Sequence, residues 1–325
     1  MRPLAELLAA LPEARAQHLI VLRGPAELDA LAALRFGAAR REDAETLRLS
    51  RHSTLHGPYA VGRSESLDLQ LPAWGEVAYL ARTPRERGEA PGPEGGDRDG
   101  IKRVFAAGLP VRDEGRVLEW LLDVARHLEG AVRVGEPPAV LVPDAHLTEL
   151  TVYAPGWLEP EEALAVVRRH APRAELAGGE AHEWRGPRFV DVRALGLEPL
   201  DPEVRELVHT LAEEADRAAL AGPDRVDGYG ILVDLDIDGE ISVEALADDA
   251  PPAPVAAEPW GSGEVVSYRV TWFWEDEEEG EMERPPMEYR VARSRSAALV
   301  RRLAEALAEA ARPAVTLTPS GFPLR

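Results

Sequence analysis

YGILVDLDIDGEISVEA, residues Tyr229 to Ala245, holds the clearest strand pattern in the chain together with its most metal-like motif. Apolar Ile231, Val233, Leu235 and Ile237 alternate with Asp234 and Asp236, the two-residue period of a strand with one buried and one wet face. Asp238-Gly239 supplies a turn, after which Ile241 and Val243 resume the alternation. A two-residue loop would set Leu235 against Ser242 and Asp236 against Ile241, mixing core and solvent on both faces. A three-residue loop, Asp238 to Glu240, sets Ile237 against Ile241 and Leu235 against Val243 and leaves Asp234 facing Glu244. An odd loop or a bulge is therefore expected.

The same residues place Asp234, Asp236, Asp238, Gly239 and Ile241 at the first, third, fifth, sixth and eighth positions of an EF-hand calcium loop. The twelfth position, which should be a chelating Glu, is Ala245, and the flanks read as strands where that motif needs helices. Asp234, Asp236 and Asp238 are the candidate metal ligands, with calcium or magnesium as the ion they would suit; no cofactor is otherwise expected.

Composition narrows the function classes. The chain has 325 residues, 45% of them hydrophobic, enough for sizeable cores in one large domain or two. A net charge of -21 argues against a phosphate-backbone partner, because nucleic-acid binding is driven largely by Lys and Arg releasing counterions. There is no cysteine, which excludes disulfides, thiolate nucleophiles and cysteine-ligated metals. The first segment reads as an amphipathic helix, not a signal peptide, and no run of eighteen apolar residues exists, so a cytoplasmic protein without a membrane partner is expected.

From Leu147 onward the element order is legible. Thr148 to Tyr153 is a strand, Pro160 with Glu161 and Glu162 opens a helix, and Arg173 to Leu176 and Arg188 to Val192 are candidate strands. Asp201-Pro202-Glu203 opens a second helix, and the strand from Tyr229 follows. This is β-α-β-β-α-β, the ferredoxin-like order, in which an antiparallel sheet carries both helices on one face. The expected organisation is an N-terminal α+β domain over 1–138, the ferredoxin-like module over 139–247, a Pro- and Ala-rich linker over 248–262, and a C-terminal ββαβ unit over 263–325.

In the N-terminal domain the best helix is opened by Asp113 as N-cap and closed by Gly130, with Trp120 and His127 beside its apolar stripe. Leu67 to Leu71 and Ile101 to Ala106 are candidate strands, and Arg82 to Gly100 a charged surface loop. Tyr59 to Arg63 followed by Leu67 to Pro72 (LDLQLP) resembles the opening of a forkhead-associated phosphopeptide domain. That resemblance covers only this stretch, and the Ser-Arg-x-His segment that should follow is absent.

In the C-terminal unit Val266, Tyr268, Val270, Trp272 and Trp274 form a strand with an aromatic face. The acidic run from Glu275 through Asp276, Glu277, Glu278 and Glu279 to Glu283 forms a tip, and Met287, Tyr289 and Val291 read as a returning strand. Gly75-Glu76-Val77 and Gly263-Glu264-Val265 each begin a strand, a long charged loop, a second strand, a helix and a short strand, which suggests related strand-strand-helix-strand units on either side of the centre.

No nucleophile elbow, phosphate loop or dinucleotide fingerprint is present: Gly62-Arg-Ser-Glu-Ser66 lacks the second glycine. His52 and His56 sit in a polar loop without a third ligand, and His182-Glu183 are neighbours that point to opposite faces of an extended chain. The expectation is a non-enzymatic binding or interaction module for a protein or small ligand, with Glu275 to Glu279 as the element that would dock a basic partner. The alternative is a cation-assisted enzyme built on Asp234, Asp236 and Asp238.

Overall fold

A computed structural model of the chain describes residues 1–92, 95–177, 210 and 228–324, in which two sheets are each overlaid by helices. The first sheet comprises β1 (Arg2–Pro3), β2 (His18–Leu22), β3 (Arg40–Arg41), β4 (Thr46–Arg48), β5 (Thr54–Ala60), β6 (Val77–Arg82), β7 (Ala131–Val134) and β8 (Ala139–Leu141). Its order is β3-β4-β5-β6-β2-β7-β8, antiparallel throughout, with β1 added in parallel beside β5. Helices α1 (Leu4–Ala10), α2 (Asp29–Arg35), α3 (Arg63–Asp68) and α4 (Arg112–His127) accompany it.

Every residue of β2 is buried. Ile20 and Leu22 enter the core under α4, while Leu19 and Val21 meet Leu4 and Leu8 of α1 on the other face. A central strand covered on both faces reads as a continuous apolar run, HLIVL.

Several local expectations change. The expected strand Leu67 to Leu71 is instead the end of a helix, Arg63–Asp68, and a turn, and the expected strand Ile101 to Ala106 opens as a helix, Ile101–Val104, because short apolar runs fit either period. Around Ile101 the deciding contact is the Asp97 carboxylate, which accepts the backbone N–H of Lys102 and of Arg103. Asp113 lies in the first turn of α4 instead of capping it, and accepts hydrogen bonds from the Ser50 and Ser53 hydroxyls. Trp120, expected at the edge of the core, is fully buried, with its Nε1 donating to the Leu31 carbonyl at 3.2 Å.

The second sheet comprises β9 (Glu149–Ala154), β10 (Glu175–Leu176), β11 (Gly228–Asp234), β12 (Glu240–Asp248), β13 (Val265–Phe273) and β14 (Val315–Leu317), in the antiparallel order β10-β11-β12-β13-β9-β14. Helices α5 (Pro160–Arg168) and α6 (Met287–Ala310) share a core with Ile231, Val233, Ile241, Val243 and Val270. The capping box of α5, Glu159 with Glu162, satisfies two of the first backbone donors, and Pro160 at its start carries no N–H that needs a partner.

The hairpin loop is odd, as parity requires, but longer than expected. Val233 pairs with Ile241 and Ile231 with Val243, so the strands close over 235–239. Ile237 is 82% exposed, outside the strand, and Asp234 faces Glu240, not Glu244. Gly239 ends the loop at φ +87°, where a Cβ would sit 2.3 Å from the Phe273 carbonyl oxygen. The backbone of β13 thus leaves no room for a side chain at this position.

The ferredoxin-like module does not close on itself. β13, from beyond the supposed linker, enters between β12 and β9, so residues 139–247 and the C-terminal segment build one sheet. The linker is an ordered connection within that sheet, with a helical turn at Ala253–Ala256 and Val255 fully buried. The candidate strand Arg188–Val192, His182-Glu183 and the helix from Asp201 lie outside the described residues. The returning strand at Met287 is the start of α6: Tyr289, Ala292, Ser296, Val300, Leu303 and Leu307 are buried at helical spacing, while Met287 and Val291 are exposed.

The two sheets share one strand order. Replacing β2 through β7 by β9 through β14 turns β3-β4-β5-β6-β2-β7 into β10-β11-β12-β13-β9-β14. The helices follow: α2 and α5 come after the first strand of each unit, and α4 and α6 join the fifth strand to the sixth. Gly75-Glu76-Val77 and Gly263-Glu264-Val265 lead into the equivalent strands β6 and β13. Among the described residues no helix is long and apolar enough to cross a membrane.

Candidate functional site

The long loops after β6 and β13 occupy equivalent places in the two units, and they touch. The Asp97 N–H donates to the Glu281 carbonyl at 2.8 Å, and Arg103 holds Glu283 through two hydrogen bonds of 2.7 and 2.8 Å. The chain end closes the other side of the junction. Phe322 sits in the core of the first unit, edge-on to His127 with ring centroids 5.5 Å apart, although the preceding strand, β14, belongs to the second sheet.

Between these contacts lies an inner cleft of 860 Å³, walled by Leu34, Asp123, Arg126 and His127 of the first unit and by His146, Glu149 and Ser320 of the second. Its charges are largely matched. Arg126 chelates Asp99 at 2.8 and 2.9 Å and reaches Asp123 at 3.0 Å, while its buried Nε lacks a hydrogen-bond partner.

Arg98 and His146 also line a second, outer groove of 790 Å³ at the start of α6. Here Arg293, almost fully buried, donates to the His146 carbonyl at 3.0 Å and pairs with Asp144 at 3.2 Å. Asp144 Oδ1 lies 2.6 Å from His146 Nδ1, and His146 Nε2 lies 3.2 Å from Ser294 Oγ. This is a carboxylate–imidazole–hydroxyl chain, the arrangement that activates a serine nucleophile. Ser294, however, is inside α6, where backbone N–H groups serve the helix ladder and none is left to hold an oxyanion. His146 is also open to water. These contacts tie the 144–146 loop to α6.

The candidate metal and docking residues line neither cleft. Asp236 is held by Arg173 through bonds of 2.9 and 2.8 Å, and that hydrogen-bonded guanidinium keeps its carboxyl below the ordinary value. Asp238 faces Arg295 at 3.4 Å, its carbonyl accepting Trp272 Nε1 at 2.7 Å, and Asp234 accepts the Asp236 N–H. Among the described residues no three carboxylates or histidines meet as a metal-holding group. In the acidic run, Asp276 caps a helical turn at Glu277–Gly280 and Glu279 accepts Trp274 Nε1 at 2.8 Å. Glu275, Asp276 and Glu278 face solvent. His52 is exposed, and His56 hydrogen-bonds Thr46 and Thr54 within β4 and β5.

Sequence reasoning missed Asp144, His146, Ser294 and the arginines of α6. The last carried a signal: Met287, Arg290, Val291 and Ser294 fall at i, i+3, i+4 and i+7. Compared with protein-family models, curated proteins and solved structures, the chain finds no significant match.

Proposed function

We propose that the protein is a non-enzymatic binding module that takes up a protein or small ligand where its two units meet. The carrying observation is the 860 Å³ cleft with walls from both units, a size typical of small-molecule sites. Equivalent loops converge there, so an occupant touches both halves of the molecule at once. The shared strand order supports a pair of related units whose junction is the one place neither unit supplies alone.

The test is a thermal-shift panel of anionic, cationic and zwitterionic metabolites on the wild type and on Ser320→Trp, which fills the inner cleft. A compound that raises the melting temperature of the wild type and not of the variant supports the reading. No shift with any compound, or equal shifts in both proteins, removes it.

A second binding element is the acidic turn. Glu275, Asp276 and Glu278 present carboxylates to solvent and suit a basic partner, the docking role expected for Glu275 to Glu279. The cation-assisted alternative at Asp234, Asp236 and Asp238 requires a metal to displace Arg173 and Arg295 from the carboxylates they hold.

A further inference from the structure

We infer that the outer groove at the start of α6 binds an acidic peptide segment of a partner protein, one that carries apolar side chains. This groove is distinct from the inner cleft, and the inference goes beyond the binding reading above.

The groove inverts the character of the rest of the chain. In a protein of net charge -21, it is lined by five arginines, Arg98, Arg284, Arg290, Arg293 and Arg295, against the two carboxylates of Asp144 and Glu283. Both carboxylates are engaged, Asp144 by Arg293 and Glu283 by Arg103. Arg98, Arg284 and Arg290 form no ion pair among the described residues, and the Arg98 Nε is buried without a hydrogen-bond partner. Guanidiniums left with donors to spare are well matched to carboxylates, which they bind in planar, two-bonded geometry.

The same groove gathers exposed apolar side chains: Val142 is 62% and Met287 66% exposed, and Met282 and Val291 join them. Apolar contact at the centre with charge around it is the composition of a protein interface, and Met adapts to varied side chains. The α6 face that presents Met287, Arg290 and Val291 offers alternating apolar and cationic positions. A segment in which acidic and aliphatic residues alternate answers both. The groove-lining residues include no Trp, Tyr or Phe on which bases could stack, which disfavours single-stranded nucleic acid as the occupant.

The test is fluorescence anisotropy with a labelled peptide of glutamates interspersed with leucines. Controls are the same peptide with lysines for glutamates and an unlabelled single-stranded oligonucleotide as competitor. The acidic peptide should bind the wild type more weakly as salt rises, and the basic peptide should not bind. Arg284→Glu with Arg290→Glu should weaken binding by more than about tenfold while leaving the melting temperature nearly unchanged, since both side chains are exposed. Met287→Asp should weaken it independently.

Ser320→Trp, in the inner cleft, should leave peptide binding intact. Absence of binding, equal binding by the arginine variant or by the basic peptide, or full displacement by the oligonucleotide overturns the inference. Failure of the peptide overturns this inference alone; the inner-cleft reading stands or falls on the metabolite shifts and the Ser320→Trp variant.

Discussion

Arg103 and Glu283, 180 residues apart, clasp each other across the junction of the two units, Nε to Oε2 at 2.7 Å and the terminal nitrogen to Oε1 at 2.8 Å. The hydrogen-bonded guanidinium holds the Glu283 carboxyl below its ordinary value, and the carboxylate raises the guanidinium in turn. The pair is partly solvated, so its strength is that of a screened surface bridge. Charge reversal at either residue should destabilise the protein, and the double reversal should recover most of the loss. A denaturant-unfolding cycle should give a coupling of about 0.2–1 kcal/mol that shrinks with added salt.

Phe322 joins the end of the chain to the core of the first unit. Phe322→Ala removes a ring that is 2% exposed and should cost about 3–5 kcal/mol. The loss should appear in chemical denaturation, together with faster amide exchange at His127 and Trp120.

Glu114 is buried between His18, at 3.2 Å, and Arg87, and also accepts the Glu86 N–H at 2.7 Å. Burial pushes its carboxyl up, but the hydrogen bonds from His18, Arg87 and the Glu86 amide outweigh burial and leave it below the ordinary 4.5. A carboxyl depressed on folding stabilises the native state above its unfolded value, and that stability is lost as pH falls through the lower folded value. The wild type should therefore lose stability below about pH 4.5 more steeply than Glu114→Gln. At neutral pH, Glu114→Ala should cost about 3–5 kcal/mol, since it strands two buried donors beside a cation. Melts across pH check both.

The Asp144–His146–Ser294 chain separates binding from catalysis. Without a backbone oxyanion site, Ser294→Ala should hydrolyse p-nitrophenyl acetate at the rate of the wild type. A burst in the wild type that vanishes in Ser294→Ala would bring an acyl-transfer enzyme forward.

Arg173 and Arg295 already occupy Asp236 and Asp238. Calcium, magnesium or chelator should leave the melting temperature where it is, in the wild type and in Asp234→Asn with Asp236→Asn alike. A metal-specific rise confined to the wild type would restore the cation-assisted reading, since a ligand at a hundredfold its dissociation constant adds about 2.7 kcal/mol.

What sequence alone determined is local. The alternation of Ile231, Val233, Ile241 and Val243 set which face of β11 and β12 is buried, and the parity of that alternation demanded an odd loop. Helical spacing set the buried stripe of α4, and Pro160 with Glu162 set the start of α5. Each depends on a repeat within one element, which side-chain hydrophobicity writes directly into the chain.

Only the tertiary structure decided which strands are neighbours. An alternating strand such as β13 states which of its faces is wet and says nothing of whether β12 or β9 lies beside it, because backbone pairing carries almost no side-chain code. That is why residues on both sides of the Pro- and Ala-rich stretch read as separate units in sequence and share a sheet in the fold. Met287, Tyr289 and Val291 fit a strand period, while Tyr289, Ala292, Ser296 and Val300 fit a helical one, and Tyr289, packed against the Trp272 and Trp274 rings, is buried with the helical set. The arginine groove follows from that choice. Met287, Arg290 and Val291 face outward together only because α6 turns its other side to the sheet, and Asp144, His146 and Ser294 meet only where the fold lays a loop against that helix.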